Sequence, residues 1–168
     1  MTQKVLLCGT PGTGKSYICQ HLLHDDRNTK VKVINVSDLV VTEKLYSEYD
    51  DDLSSAIIDE KRLRKRLKEI IEKGESDAKI VIECHSVGCI ARKFVDSVVV
   101  LQASTDVLYD RLSARKYSKR KIEENMDCEI MQVVLEEATE RFTDVTVECF
   151  TNDSEEDVKK VVEYINSL

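Results

Sequence analysis

Gly9-Thr10-Pro11-Gly12-Thr13-Gly14-Lys15-Ser16 fills the pattern G-x-x-x-x-G-K-[ST] at every defined position. Glycines at those places let backbone N–H groups turn inward around phosphate oxygens, and the helix opening at Lys15 offers the positive end of its dipole. The Lys15 amine can reach the outer phosphates, and Ser16 offers a hydroxyl to Mg²⁺. Three of the five glycines and the single proline fall between residues 9 and 14. The implied chemistry is the cradling of a nucleoside triphosphate by Gly9, Gly12, Gly14, Lys15 and Ser16. No Asn-Lys-x-Asp string, the simplest guanine reader, occurs in the chain, which favours ATP.

Two further groups carry the right residue types. Glu83 closes the apolar run Lys79–Glu83 (KIVIE), where an acid for the magnesium shell is expected. His85 lies two residues on, at the same edge, and is assigned to catalysis with Lys15. Phosphoryl transfer also needs positive charge on the migrating group and exclusion of water. Arg111 and Arg115 are four apart, one helical turn, so both are expected to face the same phosphates. A short lid is expected over residues 114–124, its core at Tyr117 to Glu124. Lys119, Arg120 and Lys121 read equally well as lid charge or as a solvated face. Lys61, Arg62, Arg64, Lys65, Arg66 and Lys68 read as a solvated helix face.

Such groups need elements to position them. Lys4–Cys8, Val31–Val36 and Thr146–Phe150 read as strands, and Lys79–Glu83 and Ser97–Leu101 are β-branched runs too short for helices, of the continuous kind expected for strands covered on both faces. Between them lie helical patterns. One starts at Lys15, and a second, over Leu39–Lys44, is expected to be capped by Ser37 or Asp38. A third runs from Asp59 to about Lys73 and is stopped by Gly74, and a fourth runs from Ser104 to near Tyr117. A single helix then extends to about Arg141, and a last one follows Ser154. Residues 45–58 are polar, tyrosine-bearing and acidic, and read as a surface loop or as an arm for a second substrate or partner. Alternation of strand and helix predicts one α/β domain over residues 1–168, a three-layer fold around a five-stranded parallel sheet of order 2-3-1-4-5.

Composition narrows the classes. The formal charge of −7 and sequence pI of about 5.1 argue against direct binding of nucleic acid through its phosphates. No apolar run long enough to cross a membrane and no secretory leader pattern is present, so an intracellular, membrane-free protein is expected. The six cysteines are scattered without a C-x-x-C pair and are expected to be reduced, mostly buried thiols acting as small hydrophobes.

Several strings together resemble the adenylate kinase isoenzyme 6 family of small nuclear P-loop ATPases. They are the glycine cradle, Ile34-Asn35-Val36-x-Asp38-Leu39, Leu45-Tyr46-x-x-Tyr49-Asp50, Ile58-Asp59-Glu60 and the acid-x-His of Glu83 to His85. Val107-Leu108-Tyr109-x-Arg111-Leu112, Arg115-x-Tyr117, Asn125, Cys128-Glu129-Ile130-x-Gln132-Val133 and Glu136-Glu137-Ala138-Thr139 continue the match over most of the chain. The resemblance implies ATP held at Gly12, Gly14, Lys15, Ser16, Tyr17 and lid Arg115, with Thr13 and Asn152 counted in the same set. It implies a nucleoside-monophosphate arm over about 35–58, with Asn35, Asp38, Tyr46 and Tyr49 on the second substrate, Mg²⁺ at Ser16 and Glu83, and the reaction ATP + AMP = 2 ADP. Family members are also ATPases of nucleus and cytoplasm that engage the small-subunit ribosomal protein uS11 in late pre-40S maturation, and a monomer is expected.

The chain departs from the family pattern in places. Glu83 stands for the usual Asp, Tyr17 for a second Thr, Gln102 for Arg, and Val41 for a basic residue found in some members. Cys89-Ile90-Ala91-Arg92-Lys93-Phe94 replaces an aromatic, proline-containing turn. Lys93 is therefore assigned to the monophosphate as a replacement charge. The expected function is a nucleoside monophosphate kinase with ATPase activity. The competing readings are an ATP-switched assembly chaperone and a shikimate-like metabolite kinase.

Overall fold

The computed structural model describes residues 2–25, 30–50, 55–74 and 78–168. In chain order, β1 (Lys4–Cys8) leads through the glycine loop into α1 (Lys15–Leu23), and β2 (Val31–Asn35) into α2 (Val36–Thr42). β3 (Tyr46–Asp50) and β4 (Ser55–Ile58) precede α3 (Glu60–Glu72). β5 (Lys79–Cys84), a short 3-10 turn at Arg92–Phe94 and β6 (Ser97–Gln102) follow, then α4 (Thr105–Ala114), α5 (Lys119–Ile130) and α6 (Val133–Arg141). β7 (Thr146–Thr151) and α7 (Glu155–Ser167) complete the described chain.

Five strands form one parallel sheet in the order β2-β5-β1-β6-β7. Counting sheet strands alone, this is the expected 2-3-1-4-5. Every residue of β5 is buried, because helices cover both of its faces. Successive side chains of a strand point to opposite faces, and two cores result. Leu7, Val81 and Val99 pack with Ile18 and Leu22 of α1 and Val161 and Ile165 of α7. Leu6, Ile82 and Val98 pack with Val36 and Val40 of α2, Leu63 and Leu67 of α3, and Val134 and Ala138 of α6. Each fully buried side chain of this kind contributes roughly 1.5–3 kcal/mol, so burial on both faces sets the register of the central strands. In that register Glu83 lies opposite both Leu7 of β1 and Asn35 of β2.

Three expectations are corrected. The helix read as running unbroken to Arg141 is two, α5 and α6, separated at Met131 and at Gln132, whose φ is 54°. The physical reason is that the halves serve different cores. Ile122 and Met126 pack on Leu108 and Leu112 of α4, whereas Val134 and Ala138 face the sheet. Next, α2 begins at Val36 and is capped by Asn35, whose Oδ1 accepts the Asp38 N–H at 2.9 Å, so Ser37 and Asp38 lie inside the helix. Finally, the arm read as loop carries an antiparallel hairpin, with Tyr46 opposite Ile58 and Tyr49 opposite Ala56. Asp51 and Asp52 of its acidic stretch lie outside the described residues.

Cys8, Cys19, Cys84 and Cys89 are buried, Cys128 is half-buried, Cys149 is exposed, and all six are free thiols. Among the described residues, no helix is long and apolar enough to cross a membrane.

Candidate nucleotide-binding site

The carboxyl ends of β1, β2 and β5 meet at one edge of the sheet, beside the point where the chain order reverses, which is where open parallel sheets bind ligands. The glycine loop occupies that edge. Gly12 and Gly14 have φ of 96° and 93°, a left-handed conformation natural to glycine alone. A Cβ at Gly12 would lie 2.8 Å from Leu108 Cδ1, and one at Gly14 would overlap Asn152 Nδ2. The loop is also bonded from within and behind: Thr13 Oγ1 donates to the Thr10 carbonyl at 2.8 Å, and buried Asn152 donates its amide to the Thr13 carbonyl at 2.8 Å. A cavity of about 390 Å³ opens in front of it, lined by Gly12, Gly14, Lys15, Ser16, Asn35, Asp38, Glu83, His85 and Arg115 among others.

Lys15 is buried and its ammonium donates to the carbonyls of Gly9 at 2.7 Å and Thr10 at 3.0 Å. Burial weakens its hold on its proton, and the Glu83 carboxylate opposes that effect. Behind it runs a short polar chain. Ser16 Oγ donates to Glu83 Oε1 at 2.6 Å, and Asn35 Nδ2 donates to Glu83 Oε2 at 2.9 Å. Asn35 therefore holds the acid with one end of its amide and caps α2 with the other. The donor set, one carboxylate and one hydroxyl facing a polar cavity, fits Mg²⁺, which takes one or two protein oxygens and completes its shell with water and phosphate. Among the described residues no cluster of three or more His, Cys, Asp or Glu side chains is arranged to hold a metal.

His85 Nδ1 stands 3.5 Å from Ser37 Oγ at the cavity mouth. The residue is exposed, yet the protein around it displaces water from the ring. This burial, followed by the positive charges of Lys15 and Lys121, holds the imidazolium below its ordinary value. The ring is neutral at neutral pH and can accept a proton.

On the other side of the loop a second groove of about 540 Å³ is lined by Gly12, Gly14, Tyr17, Arg111, Arg115, Asn152 and the segment Asp153–Glu155. Arg115 lines both cavities, whereas Arg111 lines only the outer one and directs Nη1 at the Gly12 carbonyl, 3.4 Å away. The expectation that both arginines face the same phosphates is therefore refined. Arg115, capping the end of α4, swings over the loop, while Arg111 stays against its outer flank. Tyr17 is bonded through its hydroxyl to Glu155 Oε1 at 2.8 Å.

Of the residues assigned to the second substrate, Asn35 and Asp38 line the inner cavity. Tyr46 packs half-buried against the main core at the root of the hairpin, and the Tyr49 side chain lies outside what the structure describes. Lys93 is not brought to the site. It sits over the Phe94 ring, beside Lys4 and Lys68 at the opposite end of the sheet, because the chain has already returned there to start parallel β6. Val41 is exposed on α2, and Gln102 bonds Cys149 beside a separate cavity. Beside Lys15 and Arg115, Lys121 brings positive charge to the inner cavity, half-buried and 4.3 Å from the centre of the Tyr117 ring. Lys119 and Arg120 instead form exposed i,i+4 pairs with Glu123 and Glu124. Sequence reading did not place Ser37 at the site and left Lys121 undecided between lid charge and a solvated face. The spacing of four between Tyr117 and Lys121 was the available signal for the latter.

A family model described as an AAA domain matches residues 5–132. The adenylate kinase isoenzyme 6 homolog FAP7 of Saccharomyces cerevisiae is 34% identical over 154 residues, covering 92% of this chain and 75% of that protein. The adenylate kinase isoenzyme 6 homolog of Caenorhabditis elegans is 32% identical over 164 residues, covering 98% and 87% respectively. Among solved structures, a shikimate kinase from Bacteroides thetaiotaomicron matches with a TM-score of 0.61 over 98% of this chain and 97% of that one, at 18% identity. That is a likeness of fold alone.

Proposed function

This chain belongs to the adenylate kinase isoenzyme 6 family, and from that premise we propose that it transfers the γ-phosphoryl group of ATP to AMP, forming two ADP, with slower transfer to water. The observation that carries the reading is the pair of cavities meeting at one glycine loop, with Arg115 lining both. The outer groove accommodates the nucleoside of ATP, the loop its phosphates, and the inner cavity the acceptor.

On this reading Lys15 exchanges the Gly9 and Thr10 carbonyls for phosphate oxygens, and Arg115 and Lys121 bring positive charge to the group in flight. Ser16 and Glu83 would hold Mg²⁺, which neutralises phosphate charge when bound. Neutral His85 orients the acceptor or a water and takes up its proton. Asn35 keeps Glu83 in place as α2 moves with the arm. Coupled assays with AMP, CMP and dAMP test the proposal. ADP is expected to form faster with a monophosphate than by hydrolysis alone, and failure with all three would remove the kinase reading.

A second reading gains support from the cavity wall. Among its lining residues the cations are Lys15, Arg115 and Lys121, none of them on the arm. A weak grip on a monophosphate suits an ATP-switched assembly factor of the nucleus and cytoplasm that binds uS11 on the pre-40S particle. Pull-down of uS11 in ATP and ADP states separates the two, and absence of binding in both states would end this second reading.

A further inference from the structure

The segment that carries His85 holds a feature that nucleotide handling does not use. Cys84, the last residue of β5, and Cys89, five residues on, place their sulfurs 3.7 Å apart in the buried core. Both thiols converge on one acceptor, the Ser86 carbonyl, at 2.9 Å from Cys84 Sγ and 3.3 Å from Cys89 Sγ. The other cysteines are engaged elsewhere. Cys8 donates to the Val99 carbonyl, Cys128 accepts from the Thr10 hydroxyl, Cys149 donates to Gln102, and Cys19 lies in the core on the opposite face of the sheet. Cys84 is also one of the residues lining the inner cavity, so the buried pair adjoins the space a small solute can enter.

We propose that Cys84 and Cys89 form a reversible disulfide site, oxidised by peroxide, whose closure displaces the His85 segment and turns off phosphoryl transfer to water. One thiol of the pair gives up its proton, its sulfur attacks one peroxide oxygen, the O–O bond breaks, and a sulfenic acid and one water result. The sulfur of the other cysteine then displaces the hydroxyl from that sulfenic acid, releasing a second water as its proton leaves. Two thiols and one peroxide become one disulfide and two waters, and a dithiol reductant reverses the change. The sulfurs must close from 3.7 Å to about 2.05 Å. This removes both donors from the Ser86 carbonyl and tightens the four residues between the cysteines, His85 among them. Disulfides in a reducing compartment are characteristically transient and regulatory, as a pair buried beside a catalytic loop requires.

The loss of hydrolysis rests on the role given to His85 above, whereas formation of the bond does not. The test treats full-length protein with hydrogen peroxide, with and without Mg·ATP. It then maps cross-linked peptides, measures ATP hydrolysis before and after dithiothreitol, and follows binding of a fluorescent ATP analogue. Expected results are a Cys84–Cys89 peptide lighter by two hydrogens, slower cross-linking under Mg·ATP, and hydrolysis reduced about tenfold or more and restored by reductant. Cys89→Ala and Cys89→Ser, checked for fold by circular dichroism, are expected to hydrolyse ATP normally and resist peroxide. No cross-link, oxidation of Cys149 alone, or a cross-link that leaves hydrolysis unchanged would overturn the switch. A cross-link formed in protein that neither binds nor hydrolyses ATP when reduced would uphold the disulfide site and sink the nucleotide reading instead.

Discussion

The glycine loop lines the nucleotide cavity, whereas the hairpin follows in the chain on α2, which with its cap contributes Asn35, Ser37 and Asp38 to that cavity, and the two are held differently. The loop is fixed from three directions: by Thr13 on Thr10, by Asn152 on Thr13 from behind, and by Leu108 and Leu112 packed beneath Gly12. The arm is a two-stranded sheet joined to the core through Tyr46 and Ile58, and an isolated hairpin of that size has little stability of its own. Phosphate recognition is built in before ligand arrives. On the proposed function, recognition of the second substrate falls to a segment with few core contacts, the kind from which moving parts are drawn.

Lys15→Ala should have the largest effect, because its ammonium is buried within the glycine loop, bonded to the Gly9 and Thr10 carbonyls. Hydrolysis and transfer are expected to fall together by roughly 10²–10³-fold or more, measured as ADP release. His85→Gly should lower hydrolysis by about 10²-fold while leaving ATP affinity nearly intact. Equal loss of affinity in the two variants would contradict the division between cradle and catalytic edge.

Gly14→Ala probes how rigidly the loop is determined. With a left-handed φ and a Cβ aimed at Asn152, it should cost about 1–3 kcal/mol in chemical denaturation and weaken ATP binding. On the arm, Ile58→Ala is expected to cost about 1–2 kcal/mol or less. Its signature should be kinetic, a raised KM for the monophosphate with unchanged hydrolysis of ATP alone. If instead ATP binding fell, the arm and the cradle would be one unit and the contrast drawn here would fail.

The smallest effect belongs to the helix cap beside the outer groove. The Ser154 hydroxyl, and then the N–H groups of Asp153 and Ser154, hold the Asp157 carboxyl below its ordinary value. The contribution of a depressed carboxyl is complete above the unfolded value of 3.8 and is lost as pH falls through the lower folded one. Asp157→Asn should therefore lower the thermal midpoint slightly at neutral pH and flatten the acid limb of stability, seen by melting from pH 7 to pH 2.

The sequence alone determined features whose information is local. Gly9 to Ser16 specify a phosphate loop because only glycine tolerates those dihedrals and only Lys and Ser supply that chemistry. The apolar runs at Lys4, Lys79 and Ser97 specify central parallel strands because side chains buried on both faces leave no room for polar alternation, while those at Val31 and Thr146 form the more exposed edges of the sheet. Tertiary structure decided what depends on where separate elements come together. It turned one helical pattern into α5 and α6 because their apolar stripes face different cores. It carried Lys93 to the opposite end of the sheet and decided that Lys121, rather than Lys119 or Arg120, reaches the inner cavity. It also set Asn35 beside Glu83 and Cys84 against Cys89. Contacts between strands, or across the turn after β5, arise from register and packing, and residue spacing along the chain carries no record of either.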